Sequence, residues 1–88
     1  MNEKIGLIKL LAQPYTLDIL KALKKPKRYK ELKQVCKNDR TLAKRIKKLQ
    51  ELGFIEPIAL KEEGKYINFY KLTEKGEKVL AKIERFEI

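Results

Sequence analysis

Arg40, Thr41, Lys44, Arg45, Lys47 and Lys48 place five cations and a hydroxyl within nine consecutive residues. Positions three and four apart share one side of an α-helix, so most of this set can project together. Such a face suits a polyanion. Lysine and arginine displace counterions from phosphates, and the arginine fork can take two acceptors on a guanine edge at once. The parts for other chemistries are missing. The chain has no histidine and one cysteine, Cys36, so no thiolate or imidazole metal site can be assembled within it. No paired carboxylates stand at a recognisable spacing, and no glycine loop could cradle a phosphate. An enzyme is therefore a poor reading, and no cofactor is expected.

The element that must carry these cations runs from Asn38 to Ile55. Asn38 or Asp39 can cap its first turn. Leu42, Ile46, Leu49 and Leu52 or Gly53 recur at helical spacing and form an apolar side. Gly53 stands where a helix needs a left-handed residue to stop. Phe54 and Ile55 then restart as a strand. The greasy side fixes the helix to a core, and the cationic side is offered to a partner. A duplex major groove is wide enough to admit it.

Charge placement strengthens that reading. Eighty-eight residues suffice for one domain, with a net charge of +10. Between Lys21 and Lys48 there are thirteen Lys and Arg against two acids, Glu31 and Asp39. The remainder of the chain holds nine bases and ten acids. Solubility does not require such segregation, whereas a polyanionic partner does. The lone Cys36, on an apolar helical face, reads as a core thiol and fits a reducing cytoplasm. No signal-peptide pattern or membrane-spanning run is visible. Abundant Lys, Glu and Ile with few thermolabile residues suggest a heat-adapted source.

The other elements follow in order. Residues 3–12 are expected to be helical and apolar around most of their circumference, a surface that a partner subunit would cover. Pro14 suits the first turn of a second helix burying Leu17, Ile19, Leu20 and Leu23 or Ala22. Arg28-Tyr29 is expected as a very short strand, and Lys30 to Cys36 as a short helix with Leu32, Val35 and Cys36 inward. A tight turn at Lys37-Asn38 leads into the basic helix, which completes a helix-turn-helix. Phe54 to Glu62 and Tyr66 to Thr73 are strands of a hairpin turning at Glu62-Glu63-Gly64-Lys65, with Pro57 at an edge or bulge. Tyr70 and Leu72 face inward, leaving Phe69 to be covered by the N-terminal helix or a second chain. Thr73 can cap a last helix from Glu74 to about Phe86, with Val79, Leu80, Ile83 and Phe86 spaced as a seam.

This order resembles the winged helix-turn-helix transcription regulators over nearly the whole chain. Leu11-Ala12-Gln13-Pro14-Tyr15-Thr16-Leu17-Asp18-Ile19-Leu20 is similar to the first-helix motif of ArsR-type repressors. Lys27-Arg28-Tyr29-Lys30-Glu31-Leu32 resembles a segment of HxlR-type regulators. Leu42 through Ile55 looks like the recognition helix and strand shared by ArsR, MarR and HxlR types. Tyr70-Lys71-Leu72-Thr73-Glu74-Lys75-Gly76 resembles the step from wing strand to last helix.

The resemblance implies an α+β fold, mostly helical with a two- or three-stranded wing, in a single domain over 1–88. It implies a sequence-specific double-stranded DNA binder acting in transcription. The recognition helix, about 39–52, would lie in the major groove with Arg40, Thr41, Lys44, Arg45 and Lys48 facing it. Apart from the resemblance, Lys47 and Lys48, like Lys30 and Lys37, suit phosphate contacts or simple solvation. The 61–66 wing would bring Lys61 and Lys65 to the backbone or minor groove. It further implies a homodimer through Ile5, Ile8, Leu11, Val79, Leu80, Ile83 and Phe86. The chain departs from metal-sensing ArsR proteins in lacking clustered cysteines or histidines. It lacks the early cysteine of redox-sensing HxlR proteins, and is too short for a generous MarR-type pocket. The rival reading is a winged helix that docks RNA or an acidic protein.

Overall fold

The computed structural model describes residues 9–86. Residues 9–12 are helical (α1). They are followed by α2 (Thr16–Ala22), α3 (Tyr29–Leu32), α4 (Asp39–Glu51), strands β1 (Ile55–Glu62) and β2 (Lys65–Leu72), and α5 (Glu74–Arg85). The expected helix over 3–12 is seen only at residues 9–12; the rest of that stretch lies outside the described residues.

One apolar cluster joins these elements. Ile19, Leu20 and Leu23 enter it from α2 and its end, Leu32 from α3, Leu42, Ile46 and Leu49 from α4, Ile55 and Leu72 from the hairpin, and Leu80 from α5. The stripe of α4 expected from its spacing is therefore buried.

The ends of α4 explain its length. Asn38 Oδ1 accepts the backbone N–H of Thr41 at 2.9 Å, satisfying a first-turn donor. At the other end Gly53 has φ 77, its N–H donates to Gln50, and Phe54 N–H reaches back to the Leu49 carbonyl. That pair of bonds closes the last turn and turns the chain toward β1.

The hairpin pairs β1 and β2 antiparallel, from Ile55 opposite Leu72 to Glu62 opposite Lys65. Glu63 and Gly64 form a two-residue loop with φ of 49 and 78, the twist that favours a tight hairpin. Lys27 adds a one-residue bridge to Tyr70, whose N–H and C=O both bond to it. Tyr70 thus points its backbone away from β1. Pro57, directly opposite, sits at a non-hydrogen-bonded pair where its missing N–H costs nothing.

Several expectations need correction. Pro14 is not in a helical first turn: Tyr15, with φ 71, is the N-cap of α2, and Thr16 begins the helix. The strand-like contact falls on Lys27 instead of Arg28-Tyr29. Glu31 Oε1 accepts the Arg28 N–H at 2.9 Å, which draws Arg28 and Tyr29 into a helix start. Helix α3 stops at Leu32 rather than Cys36, because the amides of Gln34 and Val35 turn to carbonyls three residues back. Phe69, expected to be covered by the N-terminal helix or a second chain, is indeed covered, being 7% exposed within the single chain; of the two covers, the second chain is not required.

Candidate nucleic-acid interface

The cationic face of α4 follows from how its opposite face is held. With Leu42, Ile46 and Leu49 buried, 3.6 residues per turn puts Arg40, Lys44, Lys47 and Glu51 diametrically outward, with Lys48 beside them. All five are exposed. Lys44, Lys47, Lys48 and Glu51 line one shallow depression. Lys47, assigned to phosphate or solvent by sequence, thus shares the outward crest with Arg40 and Lys44.

Thr41 and Arg45 lie on the flank of the helix and are half-buried. The Arg45 Nε donates to the carbonyl oxygen of Pro14 at 3.1 Å, across 31 residues of chain. The first turns of α4 therefore present Arg40 and Lys44 outward, while Arg45 leans toward the corner before α2.

Acids mark where this surface ends. Glu51 sits at the C-terminal end of the crest, 4.0 Å from Lys48. Asp39 in the first turn is paired with Lys33 at 3.2 Å, and Tyr29 Oη donates to the Asp39 carbonyl at 3.3 Å. These two contacts tie α3 to the start of α4. Burial, with the Asp39 carboxylate next in weight, raises the Tyr29 phenol above its ordinary value of 10.0.

Lys61 and Lys65 are both exposed and flank the hairpin tip, but on opposite faces. Lys61 pairs with Tyr66 and shares the side of Ile55 and Leu72. Lys65 pairs with Glu62 and shares the side of Ile58 and Phe69. They can straddle a strand or groove edge; they cannot lie together on one flat surface.

Arg28 was not foreseen here. It is half-buried and lines an open groove with Glu62, Glu63, Lys65 and Ile67, between the start of α3 and the wing. No spacing rule links Arg28 to the hairpin tip; the Lys27–Tyr70 bridge brings them together.

The apolar set expected at a dimer contact divides. Leu80 is 2% exposed and belongs to the chain's own core, so it is withdrawn from that set. Leu11 and Val79 are half-buried against the core, and Ile83 is half-buried. Phe86 is 89% exposed. Ile5 and Ile8 lie outside the described residues. Among the described residues, no group of three or more potential metal ligands gathers. No helix there is long and apolar enough to cross a membrane.

Comparison with known proteins sets this geometry in context. A family model described as HxlR-like helix-turn-helix matches residues 10–87. Among solved structures, the reduced form of the transcriptional regulator YodB from B. subtilis superposes with a TM-score of 0.83 at 27% identity. That match covers 99% of this chain and 87% of the other. The transcriptional repressor BigR from Xylella fastidiosa gives 0.72 at 28% identity, covering 96% and 82%. A protein described as a MarR-family regulator from Porphyromonas gingivalis gives 0.74 at 28% identity, covering 93% and 82%. No curated protein sequence matches significantly.

Proposed function

We propose that this chain, which belongs to the HxlR-like helix-turn-helix family, binds double-stranded DNA sequence-specifically as a transcriptional regulator. The matched family and the similar solved structures are regulators, not enzymes. The observation that carries the reading is the two-sidedness of α4. Its apolar stripe is fully engaged in the core, and its outward face is cationic, at the C-terminal end of the most basic third of the chain.

In this reading α4 enters the major groove with Arg40, Thr41 and Lys44 in its first two turns, the part of such a helix that reaches base edges. Arg40 is the residue suited to a bidentate guanine contact. Lys47 and Lys48 meet phosphates, whose neutralisation supplies affinity without sequence information. Lys61 and Lys65 straddle backbone or minor groove from the two faces of the wing. Arg45 is counted apart, because its Nε already has a partner within the chain. A homodimer formed through Phe86, Ile83 and Val79 would place two such helices on one duplex.

Selection of bound duplexes from a random library, followed by footprinting, tests the proposal. A recovered sequence motif with a protected half-site is the expected result. Recovery of no motif, together with tighter binding to structured RNA at matched salt, would favour the rival docking role.

A further inference from the structure

Arg45 differs from every other cation on α4. Arg40, Lys44, Lys47 and Lys48 are exposed, whereas Arg45 is half-buried and its Nε is committed to the Pro14 carbonyl at 3.1 Å. A guanidinium bonded through Nε loses one of the paired N–H edges with which it could grip a base.

The place where Arg45 is anchored is also unusual. Directly after Pro14, Tyr15 holds φ 71 and ψ −11, a left-handed conformation that is a genuine outlier for a bulky residue. Its carbonyl nonetheless accepts the Ile19 N–H at 2.9 Å, so the strained residue starts α2. The next residue, Thr16, is fully buried, and its Oγ1 has no hydrogen-bond partner among the described residues. Strain and an unmatched hydroxyl therefore meet at one corner. Such costs persist only where the surroundings over-determine the backbone. Arg45 supplies a contact to that corner from the recognition helix itself.

We infer that Arg45 is a positioning residue: its guanidinium braces α4 against the Pro14–Thr16 corner and so sets the angle at which Arg40 and Lys44 meet the duplex. This rests on the DNA-binding reading above and goes beyond it by removing Arg45 from the base-reading set. Affinity for non-specific DNA depends on the outward lysines and is little affected by the brace. The ratio of specific to non-specific affinity depends on the angle, and thus on the brace.

Two substitutions separate bracing from reading. In glutamine the side-chain amide nitrogen stands the same number of bonds from the backbone as the arginine Nε, so Arg45→Gln keeps the donor and drops the charge. Arg45→Met keeps the length and has no donor. The expected result is that Arg45→Gln retains the specificity ratio within about threefold, while Arg45→Met lowers it at least tenfold with the fold intact by circular dichroism. The salt slope of Arg45→Gln should match the wild type, whereas loss of a phosphate contact would reduce it by about 0.9. Equal loss of specificity in both variants, or a reduced slope in Arg45→Gln, would overturn the assignment. Amide hydrogen exchange without DNA reads the brace independently of the functional reading. Exchange at Ile19 should quicken in Arg45→Met and not in Arg45→Gln; identical exchange in both would also overturn it. Absence of any sequence preference in the wild type, with the exchange difference present, would count against the DNA reading while leaving the brace intact.

Discussion

Thr73 joins the two ends of the wing unit through a single oxygen: its Oγ1 donates to the Gly53 carbonyl at 2.5 Å and accepts the Gly76 N–H at 3.0 Å. The first bond holds the exit of the recognition helix, and the second caps α5. Thr73 N–H also donates to the Phe54 carbonyl at 3.0 Å. Replacing Thr73 with valine keeps the shape and removes both hydroxyl bonds. The expected cost is about 1–2 kcal/mol, from the cap and the orphaned partners. Urea denaturation checks it, and an unchanged midpoint would refute the joint.

Gly76 makes the same joint intolerant of a side chain. A Cβ built there would stand 1.9 Å from the Phe54 carbonyl oxygen, a rigid backbone atom. Gly76→Ala must push α5 off the start of the wing and should cost about 3 kcal/mol, more than Thr73→Val. Thermal unfolding of the two variants side by side gives the order; Gly76→Ala melting above Thr73→Val would be inconsistent with this packing.

The order of these elements was largely legible because strong local signals agree. The Leu42, Ile46 and Leu49 spacing, the Gly53 stop and the Thr73 cap each state a local rule that the tertiary structure obeys. What was misplaced depended on distant partners. The Lys27–Tyr70 bridge, the Arg45–Pro14 bond and the left-handed Tyr15 have no periodicity to announce them. Leu80 looked like part of an outer seam because helical spacing marks an apolar stripe without saying whether the chain's own core or a second chain covers it.

On the proposed DNA-binding reading, the outward crest of α4 divides into readers and phosphate ligands. Arg40→Ala should weaken binding to the preferred duplex by roughly 1–3 kcal/mol and relax its sequence preference at one position. Lys48→Gln should weaken all duplexes alike and lower the salt slope by about 0.9. Anisotropy titrations over a panel of single-base variants distinguish the two patterns. The assignment would fail if Lys48→Gln changed base preference while Arg40→Ala did not.

Tyr29 links the two helices of the helix-turn-helix, and its phenol is raised above 10.0, chiefly by burial. The folded state thus keeps this proton to higher pH than the unfolded chain. As pH rises past the unfolded value, the unfolded state binds fewer protons and stability falls, until the folded value is also passed. Tyr29→Phe removes this component, so its stability should decline less steeply than the wild type above about pH 10. Matched denaturation series from pH 8 to about 11 test the difference, and parallel curves would count against it.

An exposed phenylalanine at the end of α5, beside half-buried Ile83 and Val79, is the strongest apolar invitation on the described surface. Sedimentation equilibrium should report a dimer, and Phe86→Asp should shift it toward monomer without lowering helix content. A wild-type chain that stays monomeric across a wide concentration range would remove this interface.

On the proposed reading, the outward face of α4 is the surface that meets double-stranded DNA. The most direct measurement is the salt-dependent affinity of wild type and of an Arg40→Gln/Lys44→Gln double variant for a selected duplex, with structured RNA as competitor. The expected result is a steep log–log salt slope, near −0.9 for each phosphate neutralised, weak competition by RNA, and loss of most specific affinity in the double variant. A flat salt response, or a double variant that binds the selected duplex as tightly as the wild type, would contradict it.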